Sequence, residues 1–439
     1  ARSGARTVLV DDGTRAGGGL LSRKDRIDNR PAHDWVASVT DELDSLSNVK
    51  RLQESVAWGY REQNLVVVTE RQPESKHLIQ RTWRIRARRV IIACGAIERT
   101  LVFPNNDRPG VMLASAVQTY VNRYAVLPGK QAVIFTNNDS AYQVAADIME
   151  GGIEIASIVD SRDNPSRAVR ELVGNTHIIA NHVVARAVGR RQVQAVIIQS
   201  RLNGTTRSVP CDLLCMSGGW NPTVHLYSQS RSTLRYNEAL TAFVPHKAVQ
   251  ACCCVGAAAG TFELQKILAE GFEIGSRAAS DCGFPNTTTS VPSASTEPEY
   301  AIEALWHVDQ QESSTNSFVD IQNDVTLNDV HLAIREGFGA VEHVKRYTTA
   351  GMGIDQGKTG NINIVGAIAK QTNVALPDIG TTTFRSPFVP IEFGAISGGR
   401  EKSALLPYRH TPITRWYKDN GATMYESGAR WRRPGYFAR

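Results

Sequence analysis

The sequence contains no uninterrupted apolar run near the ~20 residues that a membrane-spanning helix needs, which excludes an integral helical membrane protein. Its first residues do not read as a signal peptide, since Ala1–Arg6 has no apolar core and runs into a strand-like segment and two acids. It lacks an even, spaced set of cysteines. The seven present include the neighbours Cys252, Cys253 and Cys254, which is unlike a secreted disulfide framework and suits a reducing cytoplasm. The body of the chain also lacks net charge. The overall +6 equals that of residues 400–439 alone, where Arg and Lys outnumber Glu401, Asp419 and Glu426. A nucleic-acid binder carries its basic face on its main domain, so that class is set aside. Nucleophile elbow, zinc-protease helix and Walker loop are missing too, and His225, His343 and His410 stand scattered.

What remains is a globular composition, 42% hydrophobic and 21% charged, in 439 residues. At roughly 150 residues per domain, that is room for about three domains. The chain opens without Met and reads as a fragment entered inside a βαβ unit. Ala1–Arg6 is the expected last turn of a helix capped by Gly4, and Thr7–Val10 a short buried strand. The first strand and glycine-rich turn of that unit would precede Ala1. Residues 34–44 have helical spacing, and 65–69 and 88–93 read as strands. A second βαβ unit, about 128–215, has strand 131–136, turn 137–140, helix 141–150 and strand 154–160. Strand-like runs follow at 177–187, 194–199 and 212–216, then a helix over 261–279. Strands alternating with helices at this spacing predict an α/β fold with parallel sheets, of the two-dinucleotide-binding, Rossmann-type flavoprotein class, over residues 1–283. The Pro/Ser/Thr-rich stretch 284–299 reads as a linker. A small helical domain is expected over 300–389, with helices near 327–336 and 341–348, and a further domain begins at 390 and runs to 439.

Four motifs carry candidate chemistry. Asp11 and Asp12 end the Thr7–Val10 strand, where a dinucleotide-binding unit places the acid that accepts from the adenosine ribose hydroxyls. Strand 88–93 stops at Cys94, Gly95 and Ala96, and strand 211–217 stops at Gly218 and Gly219. Small residues there let a cofactor pass close to the backbone. Gly256, Ala257 and Ala258 precede a helix, whose free N–H groups suit a pyrophosphate. In the second βαβ unit, by contrast, Asn137, Asn138 and Asp139 replace the glycines. Their side chains obstruct a pyrophosphate and Asp139 repels it, so that half keeps the fold and holds no dinucleotide. Cys252–Cys254, with Cys211 and Cys215, invite a metal reading. Adjacent strand residues point to opposite faces, however, so no metal site is assigned.

Longer strings are more specific. Residues 93–99 (ACGAIER), 106–112 (NDRPGVM), 120–124 (YVNRY), 137–142 (NNDSAY) and 217–225 (SGGWNPTVH) resemble the α subunit of heterotetrameric sarcosine oxidase. So do 318–325 (FVDIQNDV), 342–348 (EHVKRYT), 355–358 (DQGK) and 380–385 (GTTTFR), and the resemblance spans essentially the whole chain. It implies an oxidoreductase acting on the CH–NH group of sarcosine, which with O2 and tetrahydrofolate gives glycine, H2O2 and 5,10-methylenetetrahydrofolate. It further implies amine oxidation at FAD in a β subunit, FMN at the α/β interface, NAD on the α subunit, and β, γ and δ partners. Residues 390–439 would begin an aminomethyltransferase-like folate domain. The cysteines at 252–254 depart from the family pattern and favour, as the alternative, an amine or opine dehydrogenase with an iron–sulfur relay. A non-catalytic scaffold subunit is the third reading.

Overall fold

Gln131–Thr136 (QAVIFT) is apolar at every interior position, as a strand buried on both faces must be. In the computed structural model, which describes residues 1–71, 79–285, 290–295, 297–309, 316–397 and 407–437, it is the centre of a five-stranded parallel sheet. The strand order is Val111–Leu113, Leu213–Ser217, Gln131–Thr136, Glu154–Asp160 and Ile178–Ile179. Side chains alternate across it. Val133, Phe135, Leu214 and Met216 face a three-stranded antiparallel sheet (His182–Val188, Ala195–Ser200, Thr206–Pro210) through Val184, Ala187, Val196 and Ile198. Ala132, Ile134, Leu213 and Cys215 face the helices Ala114–Tyr124 and Ser140–Glu150 through Val117, Val121, Val144 and Ile148. Full burial of each such aliphatic side chain contributes about 1.5–3 kcal/mol. The run expected at 177–187 is two strands, because Asn181 adopts φ +55° and turns the chain between them.

The first half is built differently. Thr7–Val10 pairs in parallel with Val49–Leu52 across the helix Ala32–Ser45. The expectation of a buried strand is corrected here. Val8 and Leu9 are 40% and 37% exposed, because the strand belongs to a two-stranded sheet. Ala1–Arg6 is not helical but a turn closed by the Gly4 N–H on the Ala1 carbonyl, with Gly4 at φ +86°. Ser55–Arg61 and Leu65–Arg71 form an antiparallel hairpin, and Val90–Ile92 pairs in parallel with Cys252–Cys254. The helix expected from 261 begins at Leu264 and runs to Asp281, since Gly256–Ala259 is a short 3₁₀ turn ended by Gly260 at φ +93°.

Within the stretch read as a linker, residues 286–289 and 296 lie outside the described residues. The rest is held to the first half. The Asp28 N–H donates to Ser293, Ala294 bridges Ile27, and Glu297 accepts from the Leu264 N–H at the helix start. The helical part comprises Leu327–Arg335, Val341–Thr348, Asn361–Thr372 and Leu376–Ile379. Its first helix carries a capping box, in which Thr326 and Asp329 satisfy each other's backbone N–H groups. These helices share one core with Val102 of the main body.

By internal packing the chain divides into two compact units, residues 1–70 with 83–390, and residues 71–82 with 391–439. In the second unit, Ala422–Ser427 and Trp431–Phe437 form an antiparallel hairpin beside the helix Thr414–Asp419. Arg430 and Arg432 of the basic tail stack on Tyr408, at 3.9 and 4.1 Å from its ring centroid. Residues 398–406 and 438–439 lie outside the described residues, and with them part of the tail's charge.

Candidate functional site

The chain enters the five-stranded half through Ala96–Glu98 and leaves it through Trp220–Pro222, and these two crossings pair antiparallel, Ala96 opposite Pro222. The two small-residue turns predicted to matter are thereby brought together. The Thr223 N–H donates to Gly95, the Arg99 N–H to Gly219, and the Gly218 N–H to Arg99. Their small size serves different purposes. Gly95 sits at φ +70° with open space where a Cβ would project. At Gly218 a Cβ would meet the Thr100 carbonyl at 2.7 Å. At Gly219, with φ +94°, it would meet Ile302 Cδ1 at 2.2 Å. The close approach at 218–219 is therefore made by the protein's own chain, whereas that at 95 is left open.

Asp11 and Asp12 stand at the carboxyl end of Thr7–Val10. Asp11 Oδ1 accepts from the Gly13 N–H at 2.8 Å and from Gln53 Nε2 at 3.1 Å, which fixes its carboxylate, while Asp12 is exposed. The Cys94 thiol is solvent-accessible yet ringed by protein. That desolvation, with the Asp12 charge, pushes it up to about 11, so it is a thiol and not a thiolate at neutral pH. Asp12 also acts on Lys358, whose ammonium burial holds below its ordinary range while Asp355 and Asp12 pull it back up. Asp12 thus lies within electrostatic reach of both Cys94 and Lys358, and Asp12 and Cys94 follow strand carboxyl ends, where α/β sheets bind ligands.

Gly256, Ala257 and Ala258 sit close by, since the Val255 N–H donates to Ile92. Their expected use as a free N–H cradle is altered by Glu270, whose Oε2 accepts the Gly256 N–H at 2.9 Å. The N-terminus of the following helix is likewise taken by Glu297, at 2.7 Å from the Leu264 N–H. A carboxylate of the chain therefore holds each place where an anion was expected.

Sequence spacing singles out neither Lys358 nor the buried pair Glu98 and Arg99. Glu98 receives the Ser115 N–H at 2.8 Å, and burial raises its carboxyl above the usual range. Arg99 donates to the carbonyls of Thr241, Trp220 and Leu240 with no carboxylate partner among the described residues, and burial lowers it to about 10. His225 is buried between Phe384 and Phe388 with both ring nitrogens unpartnered, and borders a cavity of about 50 Å³ that Lys358 also lines. Burial, then the Lys358 charge, lowers it to about 3.

The second half has no such opening. Asn138 donates to Ser217 O and Oγ, both at 3.0 Å, filling the turn where glycines would admit a pyrophosphate. Residues 300–303 then run over the strand ends. The Asp139 N–H donates to Ala301, the Ala301 N–H to Asp139 Oδ2, the Glu303 N–H to Asn137, and Asn138 bridges Ile302. Arg162 locks the arrangement, 2.6 Å from Asp139 and 2.8 Å from Asp160. Asp139 meets its own chain's cation here, and the crevice is closed.

Of the cysteines, Cys211 and Cys215 belong to the cores on opposite faces of the sheet. Burial raises the thiols of Cys253 and Cys254. Among the described residues no group of three or more His, Cys, Asp or Glu is placed to hold a metal ion, and no helix is long and apolar enough to cross a membrane.

Residues 314–400 match the sarcosine oxidase A3 domain family. The chain is 37% identical along its full length to the sarcosine oxidase α subunit of Rhizobium meliloti (strain 1021), covering 44% of that protein. It is also 37% identical along its full length to that of Corynebacterium sp. (strain P-1), covering 47%. It thus spans about half the length of these curated relatives. An opine oxidase subunit of Agrobacterium tumefaciens (strain Ach5) is more distant, 23% identical over 90% of this chain and 87% of its own. In fold, a solved L-proline dehydrogenase from P. horikoshii superposes on 89% of this chain and 74% of its own, with a TM-score of 0.67 at 21% identity. Lactococcus lactis thioredoxin reductase covers 64% of this chain and 92% of its own, at TM-score 0.50 and 15% identity. The architecture is accordingly an α/β fold of the two-dinucleotide-binding class followed by a helical domain. Along its full length, then, the chain is similar to sarcosine oxidase α subunits, and within it residues 314–400 match the A3 domain.

Proposed function

We propose that this chain is the dinucleotide-holding part of a sarcosine oxidase α subunit. In this reading the complex is an oxidoreductase acting on the CH–NH bond of sarcosine, and the amine pocket and its FAD lie on a β subunit. The observation that carries it is the 37% identity maintained along the whole chain to two sarcosine oxidase α subunits. The opine oxidase reading rests on 23% identity and on cysteines whose side chains alternate along a strand, and is second to it.

NAD is assigned to the first half, with Asp11 and Asp12 toward the adenosine ribose and Cys94, Gly95 and Ala96 flanking the cofactor. The fit rests on the orienting bonds to Asp11 and on the open space above Gly95. Gly256, Ala257 and Ala258 complete that wall as close-packed small residues, their leading N–H being committed to Glu270. Gly218 and Gly219 support it from behind, through the paired crossing. FMN, where the α and β subunits meet, would pass electrons from the amine-oxidising flavin to oxygen. Residues 390–439 would open the tetrahydrofolate domain, and β, γ and δ subunits complete the complex in the cytoplasm.

The reading is tested by co-expressing the intact α subunit with its neighbouring subunits and following peroxide formation on addition of sarcosine. Sarcosine-dependent peroxide together with a flavin absorption spectrum supports it. Oxidation of an opine with a broad iron–sulfur shoulder favours the second reading, and a colourless assembly favours a scaffold.

A further inference from the structure

Away from the predicted site, residues 15–33 and the helix Ala114–Tyr124 enclose a cavity of about 540 Å³. None of Asp11, Asp12, Cys94–Ala96, Gly218, Gly219 or Gly256–Ala258 lines it. Its wall carries Arg15, Arg23, Lys24, Arg26 and Arg123 against a single carboxylate, Asp25. Some of this charge is neutralised locally. Arg23 is paired with Asp25 at 2.7 Å and with Glu297, and Lys24 with Glu150 at 2.9 Å. Arg15, Arg26 and Arg123 have no carboxylate partner among the described residues. Arg26 donates to the Asn29 carbonyl, and Arg123 lies 5.5 Å from the Tyr124 ring centroid.

These cations come from separate elements. Arg15 lies on the loop that follows Thr7–Val10, Arg26 on the short strand Arg26–Ile27, and Arg123 on a helix of the other half. Like charges converging from two sides on one cavity repel, and the carboxylates that border it are bonded to Arg23 and Lys24, not to these three. Opposite them, Leu20, Leu21 and Pro31 supply an apolar wall. The volume falls in the ~300–1,000 Å³ range of small-molecule sites.

We propose that this cavity binds a small organic phosphate monoester, with its phosphate between Arg15, Arg26 and Arg123 and its apolar body against Leu20, Leu21 and Pro31. A phosphate monoester carries about −1.5 to −2 at neutral pH and offers three acceptor oxygens. Guanidinium groups bind such oxygens bidentately, which a lone carboxylate exploits only once. Three guanidinium groups without a carboxylate partner among the described residues therefore match a dianion better than a monocarboxylate. The inference is independent of the dinucleotide assignment, because the two sets of residues do not overlap.

The test is calorimetric titration of the intact subunit that contains this chain with phenyl phosphate and, separately, benzoate. The chains compared are wild type, Arg15→Gln/Arg123→Gln and Asp11→Ala/Asp12→Ala. Saturable phenyl phosphate binding is expected, weakened about tenfold or more by losing two charge-assisted partners in the arginine variant and unchanged in the aspartate variant. Benzoate should bind at least about tenfold more weakly than phenyl phosphate. Arg15 is exposed, so Arg15→Glu alone gives a second variant with no fold at stake, and it should abolish binding. Equal phenyl phosphate affinity in wild type and the arginine variants would overturn the proposal. So would benzoate binding as tightly, or loss of binding in the aspartate variant, which would move the ligand to the dinucleotide site.

Discussion

The two dinucleotide-type halves of this chain start from the same βαβ plan and treat its binding end in opposite ways. In the first half the strand end carries Asp11, held by Gly13 and Gln53, and an exposed Asp12, with clear space over Gly95. In the second half the turn after the first strand is Asn137–Asp139, and the chain lays its own residues 300–303 across it. The electrostatics differ accordingly. Among the described residues Asp12 has no cation bonded to it and acts on Cys94 and Lys358 from a distance, whereas Asp139 is bonded to Arg162 at 2.6 Å and buried. A βαβ unit of this type therefore keeps its architecture with its turn filled, provided that the polar groups there find partners within the chain.

The largest expected effect comes from unsealing the closed half. Arg162→Ala leaves Asp139 and Asp160 buried without their cation, and breaking such a pair typically costs about 3–5 kcal/mol. The denaturation midpoint of this variant should fall accordingly, with no nucleotide binding gained. A stability change near zero would show that the seal contributes little. In the open half, Asp11→Ala/Asp12→Ala should leave the melting temperature almost unchanged but lower dinucleotide affinity about 10–100-fold, the equivalent of charge-assisted bonds of about 1.5–3 kcal/mol.

How much of this is legible in the sequence follows from what each feature depends on. Strands 131–136 and 154–160 are readable because their burial on both faces leaves a continuous apolar run with turn residues at each end. The absence of glycines at Asn137–Asp139 marks the second half as a poor phosphate binder through local chemistry alone. The strap that seals it is not legible. Tyr300–Glu303 are ~160 residues away in sequence and carry no motif, and only tertiary pairing gives them a role. The same holds for Lys358, which feels the Asp12 charge from the turn before the helix Asn361–Thr372. Gly218 and Gly219 are recognisable as a site of close approach, but a glycine does not record whether cofactor or protein makes that approach.

A smaller effect sharpens the boundary between the halves, where His225 lies just past the second crossing. Burial and Lys358 lower it to about 3, so it is neutral in the fold and takes up a proton on unfolding below about 6.5. Its contribution is fully present above pH 6.5 and is lost as pH falls from 6.5 toward 3, amounting to about 2 kcal/mol by pH 5. Denaturant midpoints at pH 7 and pH 5 should differ by that much in the wild type and by less in His225→Phe. The same slope in both would remove His225 as the cause. Least is expected of the basic tail. Arg430 and Arg432 are engaged with Tyr408, and Arg432 lies 3.9 Å from Glu426. Changing Arg430, Arg432 and Arg433 to Gln should therefore alter tetrahydrofolate affinity at low salt by no more than the ~1 kcal/mol of exposed charge pairs. A larger loss would make the tail part of the folate site.

The contrast between an open and a sealed half is tested most directly by counting dinucleotide. The intact α subunit would be purified, denatured, and its released NAD quantified by chromatography, for wild type and for Asp11→Ala/Asp12→Ala. One equivalent per subunit in the wild type, falling to a small fraction in the variant, is the predicted result. Two equivalents, or one that persists without both aspartates, would contradict it.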